Sequence, residues 1–81
     1  MQIRVLAFAR LRELLDASER TLDLAHGARV GEAWDALVRE RRALAAERGS
    51  TRAARNGRIV SFEEPLRDGD EIAFLPPVGG G

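Results

Sequence analysis

The chain has 81 residues, 44% of them hydrophobic and 32% charged, which makes one small globular domain and excludes both a second domain and a disordered tether. Thirteen basic residues balance thirteen acidic ones, so the chain lacks the electrostatic footprint of a nucleic-acid binder, and no apolar run approaches the roughly 20 residues of a membrane span. It has no Cys, and all thirteen basic residues are Arg, which excludes disulfides, thiolate metal sites and thiol nucleophiles and leaves the N-terminus as the only primary amine.

Gln2 to Phe8 alternates at once, with Ile3, Val5 and Ala7 on one face and Arg4, Leu6 and Phe8 on the other, so it reads as a strand whose first face is the core side. No signal-peptide core precedes it, and a cytoplasmic location is expected. Arg10 to Asp16 places Leu11, Leu14 and Leu15 at helical spacing, a turn too short to stand without packing. Ser18 to Leu24 alternates again, with Leu22 and Leu24 on one side. His26 beside Gly27 reads as a solvated loop residue, and with only this His a catalytic triad is hard to assemble.

Val30, Ala33, Trp34, Leu37, Arg41, Leu44 and Ala45 then recur at helical spacing, predicting one long helix from Val30 to Arg48 with Trp34 in the core. Its start is poorly marked, because no Ser, Thr, Asp or Asn stands directly before Val30. Gly49-Ser50-Thr51 reads as a turn. Ala53 to Arg55, Asn56-Gly57 and Ile59 to Phe62 read as a hairpin, followed by a corner at Glu63 to Leu66, a turn at Arg67 to Asp70 and a last strand at Glu71 to Leu75. Two strands, a helix and more strands predict an α+β class, a β-grasp mixed sheet packed on one main helix. The domain spans residues 1–75 and the tail residues 76–81.

From Ile72 to Phe74 and on through Leu75 the strand is uncharged, and the chain continues as Pro76-Pro77-Val78-Gly79-Gly80-Gly81. The prolines hold the chain extended, and glycines without side chains make the thinnest peptide available for threading a channel. Such a tail suits delivery of the Gly81 carboxylate into the active site of another protein. A carboxylate becomes an electrophile once adenylated, and a sulfur donor or an amine then displaces AMP.

Phe8-Ala9 with Leu11-Arg12-Glu13-Leu14, Ala53-Ala54-Arg55-Asn56-Gly57, and above all Pro65-Leu66-Arg67-Asp68-Gly69-Asp70-Glu71 joined to Phe74-Leu75-Pro76-Pro77-Val78 and the terminal glycines resemble the small subunit of molybdopterin synthase. The resemblance covers essentially the whole chain. It implies a ubiquitin-like sulfur carrier, not catalytic alone and holding no cofactor. Its partners would be the large synthase subunit, in a heterotetramer, an ATP-using adenylating enzyme related to ubiquitin-activating enzymes, and a sulfur donor protein. Gly80 and Gly81 match the essential pair, with Gly81 becoming the thiocarboxylate whose sulfur passes to a cyclic pyranopterin precursor. Gly79 is a spacer.

Strand parity turns three large apolar residues, Phe8, Ile59 and Leu75, away from the core, and together they form a candidate docking patch with Arg12 at its rim. Pro76, Pro77, Val78 and Gly79 would continue that contact along the tail. Asp68-Gly69-Asp70 reads as turn chemistry and not as a metal site. Arg55 departs from the family, which commonly has an aliphatic residue there. Facing outward it would add charge near the patch; facing inward it would mean a different strand register. A sulfur carrier of another pathway, for thiamine, cysteine or tRNA thiolation, and a ubiquitin-like protein modifier are the alternative readings.

Overall fold

The computed structural model describes residues 1–77. In chain order the elements are β1 (Gln2–Ala7), α1 (Ala9–Leu15), β2 (Glu19–Asp23), α2 (Val30–Glu40), a 3-10 helix (Arg42–Ser50), β3 (Arg52–Arg55), β4 (Arg58–Val60) and β5 (Glu71–Leu75). The five strands form one sheet in the order β2-β1-β5-β3-β4. The central pair, β1 and β5, is parallel, and every other pair is antiparallel. A mixed sheet closed over one helix in this order is the β-grasp predicted from the sequence.

The alternation in β1 resolves as expected: Ile3, Val5 and Ala7 are buried beneath α2, while Arg4 is exposed. From the other strands Ala53, Ile72 and Phe74 join them, and α2 contributes Val30, Ala33, Trp34 and Leu37. Three of the four aromatic rings make one internal cluster, Trp34 standing edge-on to Phe74 at 5.1 Å and to Phe62 at 6.2 Å. Trp34 is therefore core. The fourth ring, Phe8, lies outside the cluster.

The helix predicted from Val30 to Arg48 ends at Glu40. Arg41 adopts extended angles (φ −137°, ψ 98°), and a 3-10 segment follows. The apolar spacing is real, but its position 41 holds an Arg, whose side chain reaches Asp16 at 3.6 Å rather than entering the core. The break redirects the chain so that Leu44 is still buried, to 1% exposure. Arg10 to Glu47 (3.0 Å) then ties the 3-10 segment to α1, and the Thr51 hydroxyl, donating to the Glu47 carbonyl at 2.6 Å, closes its end.

The missing N-cap has a tertiary substitute. The amides of Val30 and Gly31 donate to the carbonyls of Glu64 and Phe62, at 2.9 and 2.8 Å, so two of the donors a helix start leaves unpaired are satisfied from across the chain. Gly31 permits the approach, since a Cβ there would stand 3.3 Å from the Phe62 carbonyl oxygen. The hairpin turns as read, with Asn56 (φ 49°) and Gly57 (φ 87°) both left-handed, as a two-residue type I′ loop requires. Its return strand is shorter than predicted: β4 stops at Val60, and Ser61 begins a turn closed by the Glu64 amide. That turn swings Phe62 into the aromatic cluster.

Candidate functional site

The face of the sheet away from α2 is built by register. Leu6 on β1 pairs with Ala73 on β5, Ala73 with Ala54 on β3, and Ala54 with Ile59 on β4. These four residues form one apolar row across four strands. Phe8 follows Ala7 with extended angles, and Leu75 follows Phe74, the partner of Ala7, so the two stand one row nearer the tail. Phe8 is 45% exposed and Ile59 57%, while Leu75 is half-buried.

Phe8 stays outside for a local reason. Ala9 takes a left-handed angle (φ 49°), which turns the chain sharply from β1 into α1, a conformation that costs a residue bearing a Cβ roughly 1–2 kcal/mol. Arg12, exposed, lies one helical turn beyond Phe8, and its amide points to the Phe8 carbonyl at 3.4 Å. Arg52, paired with Leu75 across β3 and β5, borders the row from the other side.

The apolar band stops at the opposite half of the face. There Arg4, on β1, reaches Glu19 at 2.6 Å and Glu71 at 3.3 Å. The Glu19 hydrogen bond, followed by its charge, holds the Arg4 guanidinium above its usual pKa. The outer face is thus divided, with ion pairs where β1 and β5 begin and apolar side chains where they end.

Phe8, Leu75 and Ile59 have the parity of this face, Arg12 is exposed on the helix that follows Phe8, and Pro76 and Pro77 continue from β5, the first half-buried and the second exposed. Val78, Gly79, Gly80 and Gly81 lie outside the described residues. Leu6, Ala54, Ala73 and Arg52 were not singled out from the sequence. The alanines carry little signal alone, although counting Ala54 and Ala73 in step with Ile59 and Leu75 would have found them.

Arg55 has the parity of the core face, since it pairs with Ile72. The expectation that an inward Arg55 means a different register is overturned: Ile59 still pairs with Ala54 on the outer face and Val60 with Ala53 on the core face, and a two-residue turn then puts Arg55 on the core side. The guanidinium donates to the Pro65 carbonyl and meets Glu64, both at 3.0 Å. It therefore staples the hairpin to the loop before β5 and takes no part in the docking face.

Asp68-Gly69-Asp70 is a structural turn. An Asp68 carboxylate oxygen accepts from the Gln2 amide at 2.6 Å, and buried Asp70 accepts from the Asn56 side chain at 3.0 Å and the Arg67 amide at 2.8 Å. Among the described residues, no three His, Cys, Asp or Glu side chains gather as metal ligands would. No helix among them is long and apolar enough to cross a membrane. An open hollow of about 470 Å³ lies on the other side of the molecule, between α2 and the Phe62 turn. Its lining contains none of the predicted site residues, and the Arg48 guanidinium already stacks there, 3.3 Å from the centre of the Phe62 ring.

Comparison with known proteins agrees with this architecture. SAMP1 from Haloferax volcanii, a small archaeal modifier protein, superposes with a TM-score of 0.86 at 32% identity over the whole of both chains. A complex of subunits 1 and 2 of the molybdopterin-converting factor from Helicobacter pylori contains a chain that matches with a TM-score of 0.71 at 27% identity, again over both whole chains. In sequence, the molybdopterin synthase sulfur carrier subunit of Escherichia coli is 47% identical over 98% of this chain and 99% of its own. The model of the ThiS family matches residues 5–81, and with a relative this similar from end to end, the chain belongs to the ThiS family.

Proposed function

We propose that this chain is the sulfur-carrier small subunit of a molybdopterin synthase. The observation that carries the reading is the continuity of an apolar band with a Pro-Pro-Val-Gly-Gly-Gly tail in a chain that aligns end to end with a carrier of that name. The band is the docking surface for the large subunit, with Phe8, Leu75 and Ile59 as its apolar anchors and Arg12 at the rim. Pro76, Pro77, Val78 and Gly79 lead the end of the chain into the partner, where the terminal pair is used.

The chemistry is confined to one carbon. A cytoplasmic adenylating enzyme joins the Gly81 carboxylate to AMP from ATP, releasing pyrophosphate. A sulfur donor protein then supplies sulfur to the carboxyl carbon, AMP leaves, and a thiocarboxylate remains. In the large subunit that sulfur bonds to the pyranopterin precursor, and water attacks the carboxyl carbon as its bond to sulfur breaks, regenerating the carboxylate. The chain holds no cofactor and supplies no acid, base or metal to these steps, so the catalytic groups belong to its partners.

Incubation with the adenylating enzyme, ATP and a sulfur donor is expected to raise the intact mass by the difference between one sulfur and one oxygen atom. Deleting Gly81 is expected to abolish that gain and synthase activity while leaving the thermal midpoint unchanged. A variant that lacks Gly81 yet still supports synthesis of the dithiolene would overturn the reading.

A further inference from the structure

An adenylated carboxyl group acylates any accessible amine or thiol, and at high carrier concentration its commonest neighbours are its own chain and other copies. We infer that this carrier is inert toward its own activated end: the composition leaves no lysine amine or thiol on its surface, and the fold ties up the one remaining amine away from the tail, so the acyl group leaves to a nucleophile brought from outside. The inference rests on the functional reading above, because it concerns the activated Gly81.

Two independent features carry it. The first is that all thirteen cations are Arg and there is no Cys. A guanidinium stays protonated at neutral pH and is no nucleophile, whereas a Lys at the same position would keep the charge and offer an amine. Arg serves the structural contacts fully: Arg4, Arg10, Arg20, Arg29, Arg41 and Arg55 all bridge carboxylates.

The second feature is the placement of the Met1 amino group. It donates to the Leu24 carbonyl at 2.6 Å and faces Asp23 at 3.4 Å, so acylation must first break those contacts. It also stands at the wrong pole. Because β1 and β5 are parallel and Arg4 pairs with Glu71, Met1 is level with residue 68, whereas the tail departs after Leu75. Seven residues of strand separate those levels by roughly 23 Å, at about 3.3 Å each. The six tail residues span about 20–22 Å at full stretch, so even a tail laid straight back along the sheet only just comes level with the amine. An antiparallel central pair would have put the amine beside the tail.

The reaction being avoided balances simply. An amine nitrogen bonds to the carboxyl carbon, the bond from that carbon to the phosphate oxygen breaks, AMP departs with the electron pair, and the amine loses a proton to solvent. A carrier consumed this way cannot receive sulfur.

The test uses the full chain, ATP and the adenylating enzyme without a sulfur donor, followed by intact mass. With hydroxylamine as an added amine, the hydroxamate of the parent chain is expected; its absence would refute the activation reading itself and the inference with it. Without hydroxylamine, the parent should show only its starting mass. Arg52→Lys, beside Leu75 and within reach of the tail, should yield a monomer lighter by one water as well as covalent dimers. Arg67→Lys, at the Met1 pole, should yield dimers but no internally linked monomer. Amide-linked species in the parent, or none in either variant while the hydroxamate still forms, would overturn the inference.

Discussion

Phe8 and Asp70 invert the usual placement of their residue types. A ring is left in solvent at 45% exposure, and a carboxylate is buried to 8%. The ring is outside because Ala9 turns the chain away from the core, whereas the carboxylate is inside because three polar groups need it and its neighbours. Asp70 accepts from Arg67 and Asn56, and the same Asn56 side chain accepts from the Glu71 amide at 2.9 Å. The network locks the hairpin turn to the start of β5. Asp70→Ala leaves two partly buried donors without their acceptor, a loss of about 1–2 kcal/mol, which in a domain of this size lowers the thermal midpoint by roughly 5–15 °C. Thermal unfolding followed by circular dichroism would check it, and an unchanged midpoint would mean that the turn does not depend on the carboxylate. The most specific motif in the sequence is therefore mainly architectural: Asp68, Gly69 and Asp70 set the direction of β5, and β5 aims the tail.

At the scale of elements, β1 and β5 were legible because each has one buried face, and a period of two then fixes register as well as identity. Ile3, Val5 and Ala7 show this, as do Ile72 and Phe74. The helical region was less legible. Val30 to Ala45 keeps its apolar spacing through a break, because spacing records which residues are buried, whereas continuity depends on whether each intervening position can be solvated along one cylinder. Arg41 and the return to β3 decide that, and neither is visible in periodicity. The start of α2 was equally hidden, since its cap is the backbone of Phe62 and Glu64, some thirty residues away in sequence. The end of α2 is strapped to β2 by Arg20, whose Nε and Nη2 donate to the same Glu40 oxygen at 2.9 and 2.7 Å. That hydrogen bond, opposed by partial burial and aided by the charge, holds the Glu40 carboxyl below its usual value. A carboxyl with a lower pKa in the folded state stabilises the fold above its unfolded pKa and loses that contribution as pH falls through the folded one. Arg20→Gln is expected to flatten stability against pH on the acid side of the carboxylate range, leaving a small constant deficit above it. Urea unfolding at several pH values would measure this, and parallel curves for the two proteins would exclude the strap as the cause.

Across the whole molecule, the parallel central pair gives the outer face a polarity. β1 and β5 both begin among the Arg4, Glu19 and Glu71 ion pairs and both end among Phe8, Leu75 and the row from Leu6 to Ile59. The tail leaves from the apolar end, so a partner that receives the tail meets apolar surface first and ion pairs last. Large apolar side chains in the desolvated centre of an interface carry most of its energy, whereas exposed ion pairs at its margin contribute about 0–1 kcal/mol. The two halves should therefore respond differently to substitution. Phe8→Asp or Leu6→Glu is expected to weaken binding to the large synthase subunit by roughly one to two orders of magnitude, with little change in the thermal midpoint, because neither side chain belongs to the core. Arg4→Gln should change affinity by about twofold or less. Titration calorimetry with the large subunit would compare them directly. Equal losses in both halves would mean that the footprint extends over the whole sheet, and a loss confined to Arg4 would reverse the assignment and move the docking surface to the charged end.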